Sequence, residues 1–142
     1  MGNGVRITAA ALEKMIQHCE KEKQASGNEA CGYLIGQDGL ATDAKAVANA
    51  HGSPTSYQME PIAQIALQRE LRRLRLEEMA IYHSHVATEA YPSRRDIDRA
   101  TAVQDFFDGY YVLVTLKDQG RPKARAFRIR DGAVQEEELR EG

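Results

Sequence analysis

Four side chains able to hold a metal ion or donate a hydrogen bond fall within fourteen residues: two imidazoles, His83 and His85, a hydroxyl, Ser93, and a carboxylate, Asp96. The histidines lie two apart at the end of the apolar run Met79-Ala80-Ile81-Tyr82. Side chains at i and i+2 of a β-strand share one face, so both imidazoles can approach one ion; on a helix they would splay apart. Asp96 follows across a loop containing Pro92, in the first turn of a helix predicted to start at Ser93. Two imidazoles and a carboxylate, with the fourth position left to water, are the ligand set of a catalytic zinc. A structural zinc closes all four positions, usually with thiolates, and no cysteine lies nearby in the sequence.

Each residue also has a plainer role. A His-x-His pair alone is most often two half-exposed strand histidines, and Ser93-x-x-Asp96 is a helix-capping pattern that satisfies the first free amides of a helix. Capping and metal binding are compatible. Capping explains neither why both histidines share a face nor why they immediately precede this loop.

The pattern His-x-His, seven residues, Ser, two residues, Asp resembles the signature of the JAMM (MPN+) metallopeptidases, with His83, His85, Ser93 and Asp96 at its positions. That family also uses a glutamate on a separate upstream strand, and Glu29 in NEACGYLIG occupies the matching place. The resemblance extends over roughly residues 7–139. The stretches NEACGYLIG, SPTSYQM, IYHSHVATEAYPSRRD and RIRDGAVQEE are most similar to the compact members that release cysteine from the C-terminus of a ubiquitin-like sulfur-carrier protein.

The resemblance implies a zinc-dependent peptidase with one zinc and a bound water per chain. His83, His85 and Asp96 would be the ligands, and zinc would lower the pKa of that water from about 15.7 toward about 7. Glu29 would act as general base and then protonate the departing amine, and Ser93 would donate to the developing oxyanion. Without the family pattern Glu29 reads as an ordinary charged residue after a turn. The implied substrate is the amide after a Gly-Gly tail, which lies extended along a sheet edge; glycines suit a narrow groove. With so short a loop between His85 and Asp96 a small leaving group such as free cysteine is favoured. Two other readings stay open: an isopeptidase removing ubiquitin-like modifiers from protein lysines, and a metal-free scaffold of the same fold. Glu89 and Tyr91, between the ligands, either line the substrate channel or merely shape the loop.

The elements that must position these residues follow from periodicity and turn signals. A short strand at residues 5–7 precedes a helix capped by Thr8 and running to about residue 24, with Leu12, Met15, Ile16 and Cys19 as its buried stripe. His18, just off that stripe, reads as a surface residue. Residues 30–36 form a buried strand in which Cys31 is a small core residue, and Asp38-Gly39 turns into a second strand at about 42–49. His51 falls in a connecting loop, and residues 56–59 extend along a sheet edge. Pro61 opens a second helix to about residue 77, with Ile62, Ile65, Ala66 and Leu74 on its buried face. After the histidine strand comes a helix over about 93–106 with Ile97, Ala100 and Val103 inward. Strands at 110–116, 123–130 and 133–139 close the chain, the last two joined by an Asp131-Gly132 hairpin. The expected fold class is α/β: a mixed central β-sheet flanked by about three helices in a single domain spanning residues 1–142, in agreement with the JAMM/MPN-type (cytidine-deaminase-like) fold that the resemblance implies.

The 142 residues suffice for one core. A net charge of −2 gives no electrostatic case for nucleic acid or an anionic membrane. The arginines 69, 72, 73 and 75 are interleaved with Glu70, Glu77 and Glu78, as on a solvated helix face. No apolar run approaches the ~20 residues of a membrane span, and the start of the chain lacks a secretion-signal pattern. Cys19 and Cys31 make no disulfide framework, so a reducing cytoplasm is expected. The expected partner is a ubiquitin-like sulfur carrier ending in Gly-Gly, with a homodimer left open.

Overall fold

The histidine-bearing strand lies in the middle of one seven-stranded sheet. The computed structural model describes residues 4–142, with the elements β1 (Gly4–Ile7), α1 (Ala9–Ser26), β2 (Cys31–Gln37), β3 (Leu40–Val47), α2 (Pro61–Leu74), β4 (Glu77–His85), α3 (Arg94–Ala102), β5 (Tyr110–Thr115), β6 (Lys123–Arg130) and β7 (Ala133–Glu141). The strand order is β1-β3-β2-β4-β5-β6-β7, and β1 pairs in parallel with both β3 and β7, so the sheet closes on itself. β4 runs antiparallel to β2 and parallel to β5. The expected α/β architecture with a mixed sheet and three helices is present; the closure through β1 is a feature that strand patterning alone does not reveal.

Alternation along β4 divides its side chains between two cores. Ala80 and Tyr82 join Val5, Ile7, Met15, Cys19, Leu34, Val112 and Val114 beneath α1. Ile81 faces the other way, into the core of Tyr33, Leu71, Tyr111, Leu113 and Phe127, and His83 and His85 follow it at the same parity. β2 is closely packed at Gly32, where an added Cβ would lie 2.3 Å from the Lys45 carbonyl oxygen of β3 and 2.6 Å from the Tyr82 side chain of β4.

Thr8 caps α1 as predicted, accepting the Ala11 amide at 3.1 Å, and Gly27 ends it in the left-handed conformation, two residues beyond the expected end. The Asp38-Gly39 and Asp131-Gly132 turns have positive φ at both positions, as tight two-residue hairpins require. Residues 56–59 contribute only one bridge, Asn49 to Met59, rather than an edge strand.

Four expectations are corrected. The buried face of α2 is Ala63, Leu67 and Leu71, whereas Ile62, Ile65, Ala66 and Leu74 face solvent. The helix ends at Leu74, where Arg75 takes the left-handed conformation and the Leu76 amide returns to the Leu71 carbonyl at 2.9 Å. α3 stops at Ala102, four residues before the expected end, and Phe106 is exposed. His18 is half-buried, with Nδ1 2.6 Å from the Tyr82 hydroxyl. Among the described residues no helix is long and apolar enough to cross a membrane.

Candidate metal centre

β4 delivers both imidazoles, buried, to the edge of the core that α3 covers. His85 Nδ1 lies 2.7 Å from the Glu89 carbonyl oxygen. A carbonyl only accepts, so Nδ1 carries the proton and the Nε2 lone pair points at the site. There Nε2 of His85 lies 3.2 Å from Nε2 of His83, and Oδ2 of Asp96 lies 3.0 Å from the first and 3.2 Å from the second.

These three separations suit a metal ion. Ligand atoms about 2.0–2.1 Å from a tetrahedral zinc stand roughly 3.3 Å apart, so the three atoms match one face of such a tetrahedron. The donor set matches as well, since electron-rich atoms converging in a buried place are stabilised by a cation at their centre. His83, His85 and Asp96 thus form a group able to hold a metal ion.

Burial opposes the charge on Asp96, but the bonds from His83, His85 and the Ser93 amide outweigh it and hold its carboxyl well below the usual carboxylate range. Burial lowers the pKa of His83. For His85 burial acts in the same sense but is overcome by Asp96 and the Glu89 carbonyl, and its pKa rises. A proton and a metal ion compete for the same Nε2 lone pair.

The capping reading of Ser93 is realised. Ser93 Oγ accepts the Asp96 amide at 3.1 Å, and Asp96 Oδ2 accepts the Ser93 amide at 2.9 Å, which together form a capping box. The box fixes the carboxylate that faces the histidines and leaves the Ser93 hydroxyl proton available to donate.

Glu29 lies two residues ahead of the first residue of β2 and is 3% exposed, with Oε1 lacking a hydrogen-bond partner among the described residues. Its backbone is clamped: the amide donates to the Ser53 carbonyl at 2.8 Å, and the carbonyl accepts from Asn49 Nδ2 at 3.0 Å. Burial pushes its pKa up to about 7, against the pull of the nearby His85. Ser84, on the opposite face of β4, accepts the Ala30 amide at 2.9 Å and ties the segment after Glu29 to the histidine strand.

Sequence reasoning missed Tyr57, whose ring stacks on that of His83 with centroids 4.4 Å apart and planes 25° from parallel. It lies in the SPTSYQM stretch, but no spacing rule connects it to a strand 26 residues away. Among the predicted extras, Glu89 supplies its carbonyl to His85 while its carboxylate pairs with Lys117 at 2.7 Å. Tyr91 is half-exposed, edge-on to Phe127. His51 stays in its loop against Ser56 Oγ at 3.1 Å and takes no part in the metal-ligating group.

Residues 8–130 match the family model described as prokaryotic homologs of the JAB domain. The chain belongs to that family. This JAB-family chain is 38% identical to the CysO-cysteine peptidase of Mycobacterium tuberculosis over 133 residues, 92% of this chain and 86% of the relative. It is also 30% identical to a desampylase of Pyrococcus furiosus over 78 residues, covering 55% of this chain and 56% of the relative. Among solved structures, that of protein DSY2949 from Desulfitobacterium hafniense superposes with a TM-score of 0.80 at 30% identity, over 97% of this chain and 94% of that one. The JAB-family chain is therefore a peptidase by class, with a ligand group at the C-terminal end of its central strand.

Proposed function

We propose that the protein is a zinc-dependent peptidase that cleaves the amide after the C-terminal Gly-Gly of a ubiquitin-like sulfur-carrier protein and releases cysteine. The observation that carries this reading is the convergence of His83 Nε2, His85 Nε2 and Asp96 Oδ2 within 3.2 Å of one another in a chain 38% identical, over nearly its full length, to a CysO-cysteine peptidase. A zinc ion held by these three residues would supply Lewis acidity and an acidified water.

The remaining chemistry falls to the chain itself. Glu29, kept out of solvent, takes a proton from the attacking water and delivers it to the departing nitrogen as the C–N bond breaks. A carboxylate with a pKa near 7 suits both halves of that transfer at neutral pH. Ser93 donates its hydroxyl proton to the oxygen that gains charge when the carbonyl is attacked. The products are the carrier with a free glycine carboxylate and a molecule of cysteine.

A second reading is supported by similarity to proteins named for removal of protein modifiers: the desampylases, and a 53-residue match at 45% identity to a probable TtuB-protein conjugate cleaving protease of Thermus thermophilus. In that case the leaving amine is a protein lysine. Incubating zinc-loaded protein separately with a Gly-Gly carrier extended by one cysteine and with the same carrier joined to a lysine on a protein, followed by intact mass, separates the two. Loss of one cysteine residue, with the lysine conjugate left whole, is the expected result. Cleavage of the lysine conjugate alone would replace the first reading with the second, and cleavage of neither would contradict both.

A further inference from the structure

The two imidazoles of the ligand group are held in different ways. His85 is oriented by the hydrogen bond from Nδ1 to the Glu89 carbonyl, the usual device for a metal-ligating histidine. His83 has no such bond: its Nδ1 is buried without a hydrogen-bond partner among the described residues. Its ring instead lies nearly parallel to that of Tyr57, which is 5% exposed. Arg99 of α3 also lies over the Tyr57 ring, its guanidinium carbon 5.1 Å from the ring centroid. Arg99 is itself fixed by a hydrogen bond to the side chain of Gln58, the residue next to Tyr57. The Tyr57 ring therefore contacts both the imidazole of His83 on β4 and the guanidinium of Arg99 on α3.

We infer that Tyr57 is a positioning residue for His83: its ring face sets the imidazole plane, in place of the missing Nδ1 hydrogen bond, so that Nε2 points at the metal. An imidazole is free to rotate about χ2 unless packing or a hydrogen bond stops it, and a rotation carries Nε2 off the axis toward the ion. A flat partner at 4.4 Å leaves room for the ring only in the parallel orientation. Because the ring face and not the hydroxyl does the positioning, phenylalanine serves as well as tyrosine. The inference rests on the metal-binding reading above.

The test is zinc affinity, measured by competition with a chromophoric chelator, for the wild type, Tyr57→Phe, Tyr57→Leu and Tyr57→Met, with metal-free thermal stability recorded for each. Tyr57→Phe is expected to bind zinc within about twofold of wild type, whereas Tyr57→Leu and Tyr57→Met, which fill space without a flat face, bind about 10–100-fold more weakly. Methionine is the more adaptable filler, so it keeps the comparison available should the leucine variant fail to fold. If both aliphatic variants lose thermal stability but bind zinc as tightly as wild type, Tyr57 is only core and the inference falls. If phenylalanine weakens binding as much as leucine, the hydroxyl is what matters and the inference falls equally. A wild type that binds no zinc overturns the ligand assignment itself, an outcome distinct from a tightly binding wild type whose variants match it.

Discussion

Glu29 carries an instability that its proposed role accounts for. A carboxyl 3% exposed with one oxygen unpartnered is costly to ionise, which is why burial raises its pKa to about 7 from an ordinary value of 4.5. Protonation is then favoured more in the folded than in the unfolded chain. The stability that accompanies it is full below pH 4.5 and is lost as pH rises through 7. Metal-free Glu29→Gln, which cannot ionise, is expected to match wild type at about pH 4 and to exceed it at about pH 8 by up to about 3 kcal/mol in chemical denaturation. A difference that does not change with pH would show that the carboxyl is hydrated. In zinc-loaded protein the same substitution is expected to keep the metal and lower turnover about 10²–10⁴-fold. Ser93→Ala removes both a cap and an oxyanion donor: expected are a loss of about 1 kcal/mol in stability and about a hundredfold in turnover, with zinc retained. Loss of zinc from that variant would mean that the capping box, not the hydroxyl proton, is the contribution of Ser93. The grouping of His83, His85 and Asp96, and the cap at Ser93, were legible because strand parity and helix capping are local rules. Tyr57 was not, because a ring stacked on a distant strand leaves no periodic trace.

At the level of elements, α2 shows where local pattern runs out. Ile62, Ala63, Ile65, Ala66, Leu67, Leu71 and Leu74 spread over most of the helix circumference, so two rotations present an apolar stripe. The choice is made at the ends. Before the helix, Met59 bridges to Asn49 and the Glu60 amide donates to the Ala48 carbonyl at 2.9 Å; after it, left-handed Arg75 turns the chain so that Leu76 hydrogen-bonds back to Leu71. With both ends anchored, Ala63, Leu67 and Leu71 face the sheet. A non-glycine residue in the left-handed region costs about 1–2 kcal/mol, so nothing in the sequence marked Arg75 as the end of the helix. Leu71→Ala is expected to destabilise by about 2–5 kcal/mol, and Ile62→Ser or Ile65→Ser by less than about 1 kcal/mol, in urea unfolding. The reverse ranking would restore the face expected from the sequence. Other elements were readable to within a few residues, since Thr8, Gly27, Asp38-Gly39 and Asp131-Gly132 are turn and cap signals that need no tertiary help.

In the whole molecule, the closed sheet puts β4 between β2 and β5, and one face of β4 contributes both histidines of the candidate ligand group while α3 contributes Asp96. The closure depends on β1 pairing at once with β3 and β7, contacts between residues far apart in sequence and hence invisible to any window along it. Glu29 lies just ahead of β2, β4 carries the histidines, and α3 with its N-cap brings Asp96 and Ser93 over them, so three segments meet at one place. The claim on which the proposed chemistry depends is that this place holds a single metal ion. X-ray diffraction from crystals of the zinc-loaded protein, collected on both sides of the zinc absorption edge, tests it most directly. The expected result is one anomalous peak per chain, about 2.0–2.2 Å from His83 Nε2, His85 Nε2 and Asp96 Oδ2. A peak on His18 or His51 instead, or none in crystals grown with excess zinc, would contradict it.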